Sequence, residues 1–202
     1  MQAKAEASHF LKQFVLMAEN PLQKKVKIVR TGNGTEFKSG SMLKSYFNKG
    51  IIHQTNCVDT PKQNGRVERK HRHILNVARA LRFQANLPWS FWGECALTAT
   101  HLINRTPNSI LDGKTPHEVL FGQQSTYDHI KVFGSLCFAQ VQPKDKFMSR
   151  SRRCIFIWYP FGQKGWKLYD IETQECFVSQ DIIFFETIFP LRNSLPDSSP
   201  SQ

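Results

Sequence analysis

Apolar positions recur at helical spacing in the first stretch of the chain. Between residues 3 and 19, Ala7, Phe10, Leu11, Phe14 and Ala18 share one face opposite Lys12 and Gln13, which predicts an amphipathic helix closed by Pro21. Residues 24 to 30 alternate instead, with Val26, Ile28 and Arg30 on one side and Lys25, Lys27 and Val29 on the other, as in a short strand. A turn follows at Thr31-Gly32-Asn33-Gly34. Ser39 or Ser41 then caps a short helix through Met42, Leu43, Tyr46 and Phe47, with Gly50 at its C-terminal cap, and Ile51 to Thr55 reads as a second strand. Pro61 and Asn64-Gly65 punctuate a loop, after which Val67, Ile74, Ala78 and Leu81 return to helical spacing. Leu87-Pro88 separates that long helix from another, whose stripe of Phe91, Trp92, Cys95, Ala96, Ala99, Leu102 and Ile103 is either buried or docks a partner. Asn104-Arg105-Thr106-Pro107 stops it, and Thr115-Pro116-His117-Glu118 opens a short turn of helix with proline at its first position.

After Gly122 the composition shifts to β-formers. Val132-Phe133, Leu136 to Ala139, Cys154 to Ile157, Trp166 to Tyr169 and Cys176 to Val178 are separated by proline, glycine and charged turns, a spacing that predicts a small β-barrel or sheet. The order helix, strand, helix, strand, long helix before it is that of an α/β layer, where site residues gather at strand ends. The expected organisation is therefore residues 1–123 as an α/β core with a helical extension, 124–190 as the β domain and 191–202 as a disordered tail.

Charge changes this picture from a generic fold to one with a partner. The 202 residues carry a formal net charge of +11, which points to nucleic acid, although an acidic protein or a membrane surface would satisfy charge alone. On the long helix Arg66, Arg69, Lys70, Arg72, Arg79 and Arg82 face Glu68 as the lone acid, an arrangement that costs stability unless a polyanion or other carboxylates share the surface. A second basic patch lies in the loop from 144 to 153, with Lys144, Lys146, Arg150, Arg152 and Arg153 against Asp145. Both patches could track phosphates, and both could be solvated surface. Cys57, Cys95, Cys137, Cys154 and Cys176 are scattered and never paired as C-x-x-C, and the seven histidines show no metal spacing. These features fit packed, reduced thiols in an intracellular protein and no zinc. No signal-like or membrane-spanning run is present.

Glu68 has a local role open to it, favouring the helix N-terminus and pairing with Arg72 one turn on. Three ordered blocks give it a second. Ile28-Val29-Arg30-Thr31-Gly32-Asn33-Gly34-Thr35-Glu36-Phe37, then Thr60-Pro61-Lys62-Gln63-Asn64-Gly65-Arg66-Val67-Glu68-Arg69, then Leu102 to Pro107 with Thr115 to Gly122, together resemble the integrase of Copia-type long-terminal-repeat retrotransposons. Val132-Phe133-Gly134, Tyr159-Pro160, Lys164 to Asp170 and Phe177 to Asp181 are similar to the small Src-homology-type β-barrel that follows the catalytic core in that family. Trp158 stands where the family more often has glycine, so a distortion is expected there.

The resemblance implies an RNase H-like core, a two-metal strand transfer using Mg²⁺ or Mn²⁺, DNA as substrate, other integrase chains as partners, and a nuclear place of action. It also implies three strands upstream of residue 1, so that the strand at 25–30 presents an unpaired edge and the core is weakened. In the family two aspartates and a glutamate hold the metals, the last two separated by 35 residues. Counting back from Glu68 across 35 residues reaches Gly32, which has no side chain to offer, and the first Asp belongs to an upstream strand. Glu68 is then a vestigial ligand, with Asp59 and Glu36 as the nearby acids that could substitute, although both read more simply as loop and turn residues. Asn64, Arg66, Arg69, Lys70 and Arg72, with Lys146, Arg150, Arg152 and Arg153, become the candidate DNA contacts, and the isolated chain is expected to be catalytically inactive.

Overall fold

The computed structural model describes residues 6–56, 65–140, 151–160 and 162–192. The first element, α1 (Glu6–Leu22), runs through Pro21 and one residue further before Gln23 takes a left-handed turn at φ 48°. Proline thus sits in the last turn and does not stop the helix before it. The buried face is also rotated from the expected one. Val15 is buried with Leu11 beside it, while Phe10 and Phe14 are exposed, because the i, i+4 pair Leu11–Val15 meets Val26 and Val29.

Residues Ile28–Thr31 form β1, shorter than the alternation suggested, and its inward residue is Val29 while Ile28 faces out. Val26 precedes the strand, with its N–H held by Glu19 Oε1 at 2.9 Å. After a 3-10 turn at Thr35–Phe37 comes α2 (Gly40–Lys49), with Ser39 as its N-cap residue. Gly50 ends it in the left-handed region at φ 63°, where its own N–H and that of Ile51 satisfy the carbonyls of Phe47 and Tyr46. The second strand, β2 (Ile52–Thr55), pairs with β1 in parallel, Ile28 opposite Ile52 and Thr31 opposite Thr55. Met42, Tyr46, Ile51 and Val15 close the core beneath this sheet. Ile28 and Ile52, adjacent in register, remain 52% and 60% exposed on its other face. Among the described residues β1 is hydrogen-bonded within a sheet to β2 alone.

The long basic helix is α3 (Gly65–Ala85), and the chain divides within it into two compact units, Met1–Lys70 and His71–Gln202. In the second unit α4 (Trp92–Arg105) buries Cys95, Thr98, Ala99 and Ile103. Of the aromatics that open this helix, Phe91 packs edge-on to Tyr169 at 5.0 Å, while Trp89 and Trp92 are 71% and 56% exposed, which leaves a packing role against a partner open to them. The short α5 (Pro116–Phe121) begins with a reciprocal capping box. Thr115 Oγ1 accepts from Glu118 N at 3.1 Å, and Glu118 Oε2 accepts from Thr115 N at 2.7 Å.

Five antiparallel strands follow: β3 (Leu136–Gln140), β4 (Ser151–Trp158), β5 (Trp166–Asp170), β6 (Cys176–Ser179) and β7 (Ile182–Phe185), in spatial order β6-β5-β4-β3-β7. Val132-Phe133 is not a strand; Phe133 turns into Gly134 and buries its ring instead. The unbroken apolar run Cys154 to Ile157 reflects burial on both sides. Ile155 and Ile157 meet Ala78, Ala85, Cys95 and Ala99 of the helices, while Cys154 and Phe156 meet Cys137, Ala139 and Leu168 within the sheet's other face. Gly134, at φ 76°, lies so close to α3 that an added β-carbon would strike Ala85. The ladder between β4 and β5 shifts register between Phe156 and Trp158, at the position where the sequence suggested a distortion.

Candidate nucleic-acid interface

At the end of β1 the chain offers polar groups but few acids. Thr31 Oγ1 donates to the Gly32 carbonyl at 3.0 Å and lies 2.9 Å from His53 Nε2, so the imidazole donates from that nitrogen. The His53 ring stacks on Tyr46 at 4.6 Å, and burial, with Lys38 adding to it, pushes its pKa down. Arg30 holds Gln54 Oε1 across the strands through Nε at 3.2 Å and Nη2 at 2.8 Å. Lys38 donates to Asn33 Oδ1 at 3.1 Å. The Thr31–His53 pair was not legible beforehand; its signal is the parallel register that brings residues 22 apart together.

Gly32 directly follows β1 and contributes no side-chain ligand. The Glu36 carboxylate folds back over Gly34 and fills the space that a β-carbon there would take. Glu68 is exposed on the first turns of α3, and among the described residues it forms no ion pair with Arg72 or any other base. Asp59 lies outside the described residues. No three His, Cys, Asp or Glu side chains among the described residues converge as a metal site. Among the described residues the donor set at this strand end does not fit a pair of hard divalent ions about 4 Å apart, which need several carboxylate oxygens to hold them.

The basic residues of α3 are where the sequence placed them. Arg66, Arg69, Lys70 and Arg72 are all exposed, as is Arg79 further along. At 100° per residue Arg69, Arg72 and Arg79 span an arc of about 80°. Arg82 is already engaged: it lies 4.7 Å from the Phe83 ring and 5.8 Å from that of Trp89, and its Nη1 donates to the Leu87 carbonyl at 3.3 Å. Asn64, Lys146 and Arg150 lie outside the described residues. Arg152 and Arg153 belong to strand β4 and not to a loop, because they pair with Ala139 and Phe138 of β3. Arg152 Nη1 lies 3.6 Å from Asp170 Oδ2 and its guanidinium 5.5 Å from the Phe177 ring. Burial pushes the Asp170 carboxyl up, but N–H groups of Thr173 and Glu172, together with Arg152, outweigh it and hold the pKa down.

A family described as the retroviral polymerase SH3-like domain matches residues 135–198. The retrovirus-related Pol polyprotein from transposon RE1 of Arabidopsis thaliana is 33% identical over 205 residues, covering 100% of this chain and 14% of that protein. The chain is a homologue of one segment of the Copia-type Pol polyproteins. The corresponding polyprotein from transposon TNT 1-94 of Nicotiana tabacum is 33% identical over 189 residues, 93% of the chain and 14% of its own length. This Pol homologue thus spans about a seventh of the curated relatives it matches. Among solved structures, the HTLV-2 integrase catalytic core domain in complex with magnesium, in a trimeric form, is similar with a TM-score of 0.43 and 24% identity, over 56% of this chain and 69% of that one. No helix among the described residues of the Pol homologue is long and apolar enough to cross a membrane.

Proposed function

We propose that this chain is a retrotransposon integrase fragment that holds DNA without carrying out strand transfer on its own. The observation that carries the reading is the exposed basic face of α3, where Arg66, Arg69, Lys70 and Arg72 stand in solvent without carboxylate partners among the described residues. A phosphate backbone relieves their mutual repulsion and releases counterions. The formal charge of +11 supports a polyanionic partner at long range.

Chemistry is the part the site does not supply. The family reaction needs carboxylates to hold Mg²⁺ or Mn²⁺, and the position that matches the second Asp is Gly32. Glu68 keeps the place of the third ligand and acts as a first-turn acid on a basic helix. In this reading residues 1–123 are the core remnant, 124–190 the small β domain, DNA the partner, other integrase chains the source of any complete site, and the nucleus the place of action.

Two measurements separate holding from joining. Fluorescence anisotropy with a labelled duplex should give an affinity that falls steeply with salt and hardly depends on sequence; affinity indifferent to ionic strength would remove the DNA-holding role. Incubation of a terminal-repeat oligonucleotide with target DNA in Mg²⁺ or Mn²⁺ should give no joined product, and Gly32→Asp should not restore it. Metal-dependent joining by the unmodified chain alone would show that the site is complete after all.

A further inference from the structure

The two sequence blocks that the DNA-holding role leaves unused, Asn104-Arg105-Thr106-Pro107 and Thr115-Pro116-His117-Glu118, meet at one cavity of about 500 Å³ in the second unit. Its walls are apolar: Leu97 from α4, Leu120 and Phe121 from α5, and Trp158 and Pro160 from the end of β4 and the residues after it. Its polar equipment consists of Arg105, His101 and His117 with Thr100 and Asn104, and among the described residues no Asp or Glu lines it.

Arg105 is the unusual member. It is half-buried, and among the described residues it has no carboxylate within ion-pair distance. Burial pushes its pKa down, and the groups that counter this are the tyrosines Tyr159 and Tyr127. One of its nitrogens, Nη1, is turned back to its own helix, 3.2 Å from His101 Nδ1 and 3.5 Å from the His101 carbonyl. A guanidinium only donates, so His101 Nδ1 accepts and its proton sits on Nε2. That Nε2 is buried without a partner, as is Nδ1 of His117. The His101 ring is fixed by stacking on Tyr159 at 4.2 Å, and the Tyr159 hydroxyl is itself pinned by the N–H and carbonyl of Lys131 at 3.0 and 2.8 Å. A guanidinium without a carboxylate partner beside an apolar wall is complementary to an anion on an apolar body. A phosphodiester would leave the apolar wall unused.

We propose that this chamber binds an organic carboxylate with an aromatic or branched apolar body, the carboxylate held by Arg105 and the body by Leu97, Leu120, Phe121 and Trp158. His101 is a positioning residue that sets the guanidinium. The ligand is either a free organic acid or the carboxy-terminal residue of a peptide, since both present the same chemistry. This site is independent of the basic face of α3.

The test is an NMR titration of the full chain, labelled with ¹⁵N at histidine and arginine side chains, with phenylacetate. Saturable shifts of the His101 and Arg105 nitrogens are expected, with binding at least ten-fold weaker for 2-phenylethanol, which lacks the charge, and for acetate and inorganic phosphate, which lack the body. Arg105→Gln should weaken phenylacetate at least ten-fold, and Leu120→Trp, at a half-exposed wall position that leaves the core alone, should block it. Gly-Gly-Gly-Phe with a free terminus binding tighter than phenylacetate assigns the peptide source, and binding more weakly assigns the free acid. Failure of phenylacetate to move these resonances overturns the proposal, as does equal binding of 2-phenylethanol or phosphate, or phenylacetate affinity unchanged in Leu120→Trp.

Discussion

Replacing Arg69, Arg72 and Arg79 together by Gln tests whether α3 meets a DNA backbone. The three are exposed, share an arc of about 80° and span about 15 Å of helix, so one duplex can reach all of them while Arg82 stays bound to Phe83, Trp89 and the Leu87 carbonyl. Each phosphate contact contributes about 0.9 to the slope of log K against log salt, so removing three flattens it by about 2.7. Between 50 and 200 mM salt the unmodified chain should then lose about 40-fold more affinity than the variant. The assay is anisotropy of a labelled duplex across that range, with circular dichroism to establish that α3 remains helical. A charge-matched control, Lys24, Lys25 and Lys44 to Gln, makes the result specific, because both variants fall from +11 to +8. If the control flattens the slope as much, the effect is one of net charge and the α3 face has no special part. If neither changes it, the reasoning from the basic helix fails.

Acid should act on the second unit in two windows. His101 is held down to about 4, first by burial and then by Arg105, His129 and His117, so its unfolded form near 6.5 binds more protons; stability should fall as pH drops from about 6.5 to 4, and His101→Phe should reduce that slope in chemical denaturation, leaving the part due to His129, whose pKa burial also lowers. Asp170, held below its ordinary 3.8, adds a further loss below that pH that Asp170→Asn should not show. Thr115→Ala removes the capping box and leaves Ser125 Oγ without its 2.8 Å partner, which should cost about 1 kcal/mol and speed amide exchange in α5, with Thr115→Ser close to the original. Gly134→Ala combines a left-handed backbone with a clash against Ala85, and should lower the unfolding free energy by about 2 kcal/mol, the cost of an overpacked core, read as a lower denaturation midpoint; an unchanged midpoint would mean α3 does not approach this turn.

Helix existence was legible because 3.6-residue periodicity survives in α1, α3 and α4; which face is buried was not, because that depends on what arrives from elsewhere. Phe10 and Phe14 are the larger apolar residues of α1, yet Val15 is the one that meets Met42 and Tyr46. Alternation failed for β1 for a related reason. The strand starts only at Ile28, so most of the alternating residues precede it. In the β region the runs at 136, 154, 166 and 176 announced their strands, whereas Ile182–Phe185 followed too closely on β6 to be separated from it without knowing that it crosses to pair with β3. Arg152 and Arg153 looked like loop charges because basic residues precede them. Their ladder with β3 places them on a strand, and Arg152 also pairs with the buried Asp170.

The site shows the same division between chemistry and arrangement. That Gly32 stands 35 residues before Glu68 is a property of the sequence, and no packing can give glycine a carboxylate. What packing decides is whether neighbouring acids compensate, and Glu36 turns back onto Gly34 while Glu68 faces solvent. The chamber at Arg105 is the reverse case. Each of its parts looked structural in the sequence: Arg105 a helix end, His117 and Thr115 a helix start, Tyr159-Pro160 a strand end. Only their convergence leaves a guanidinium without a carboxylate beside an imidazole N–H without an acceptor. An unsatisfied buried donor costs about 1–3 kcal/mol, and a second block held against the first keeps that cost in place when a helix end in solvent would have relieved it. A fold that keeps the Arg105 guanidinium without a carboxylate at an apolar cavity suits an anion that comes from outside the chain.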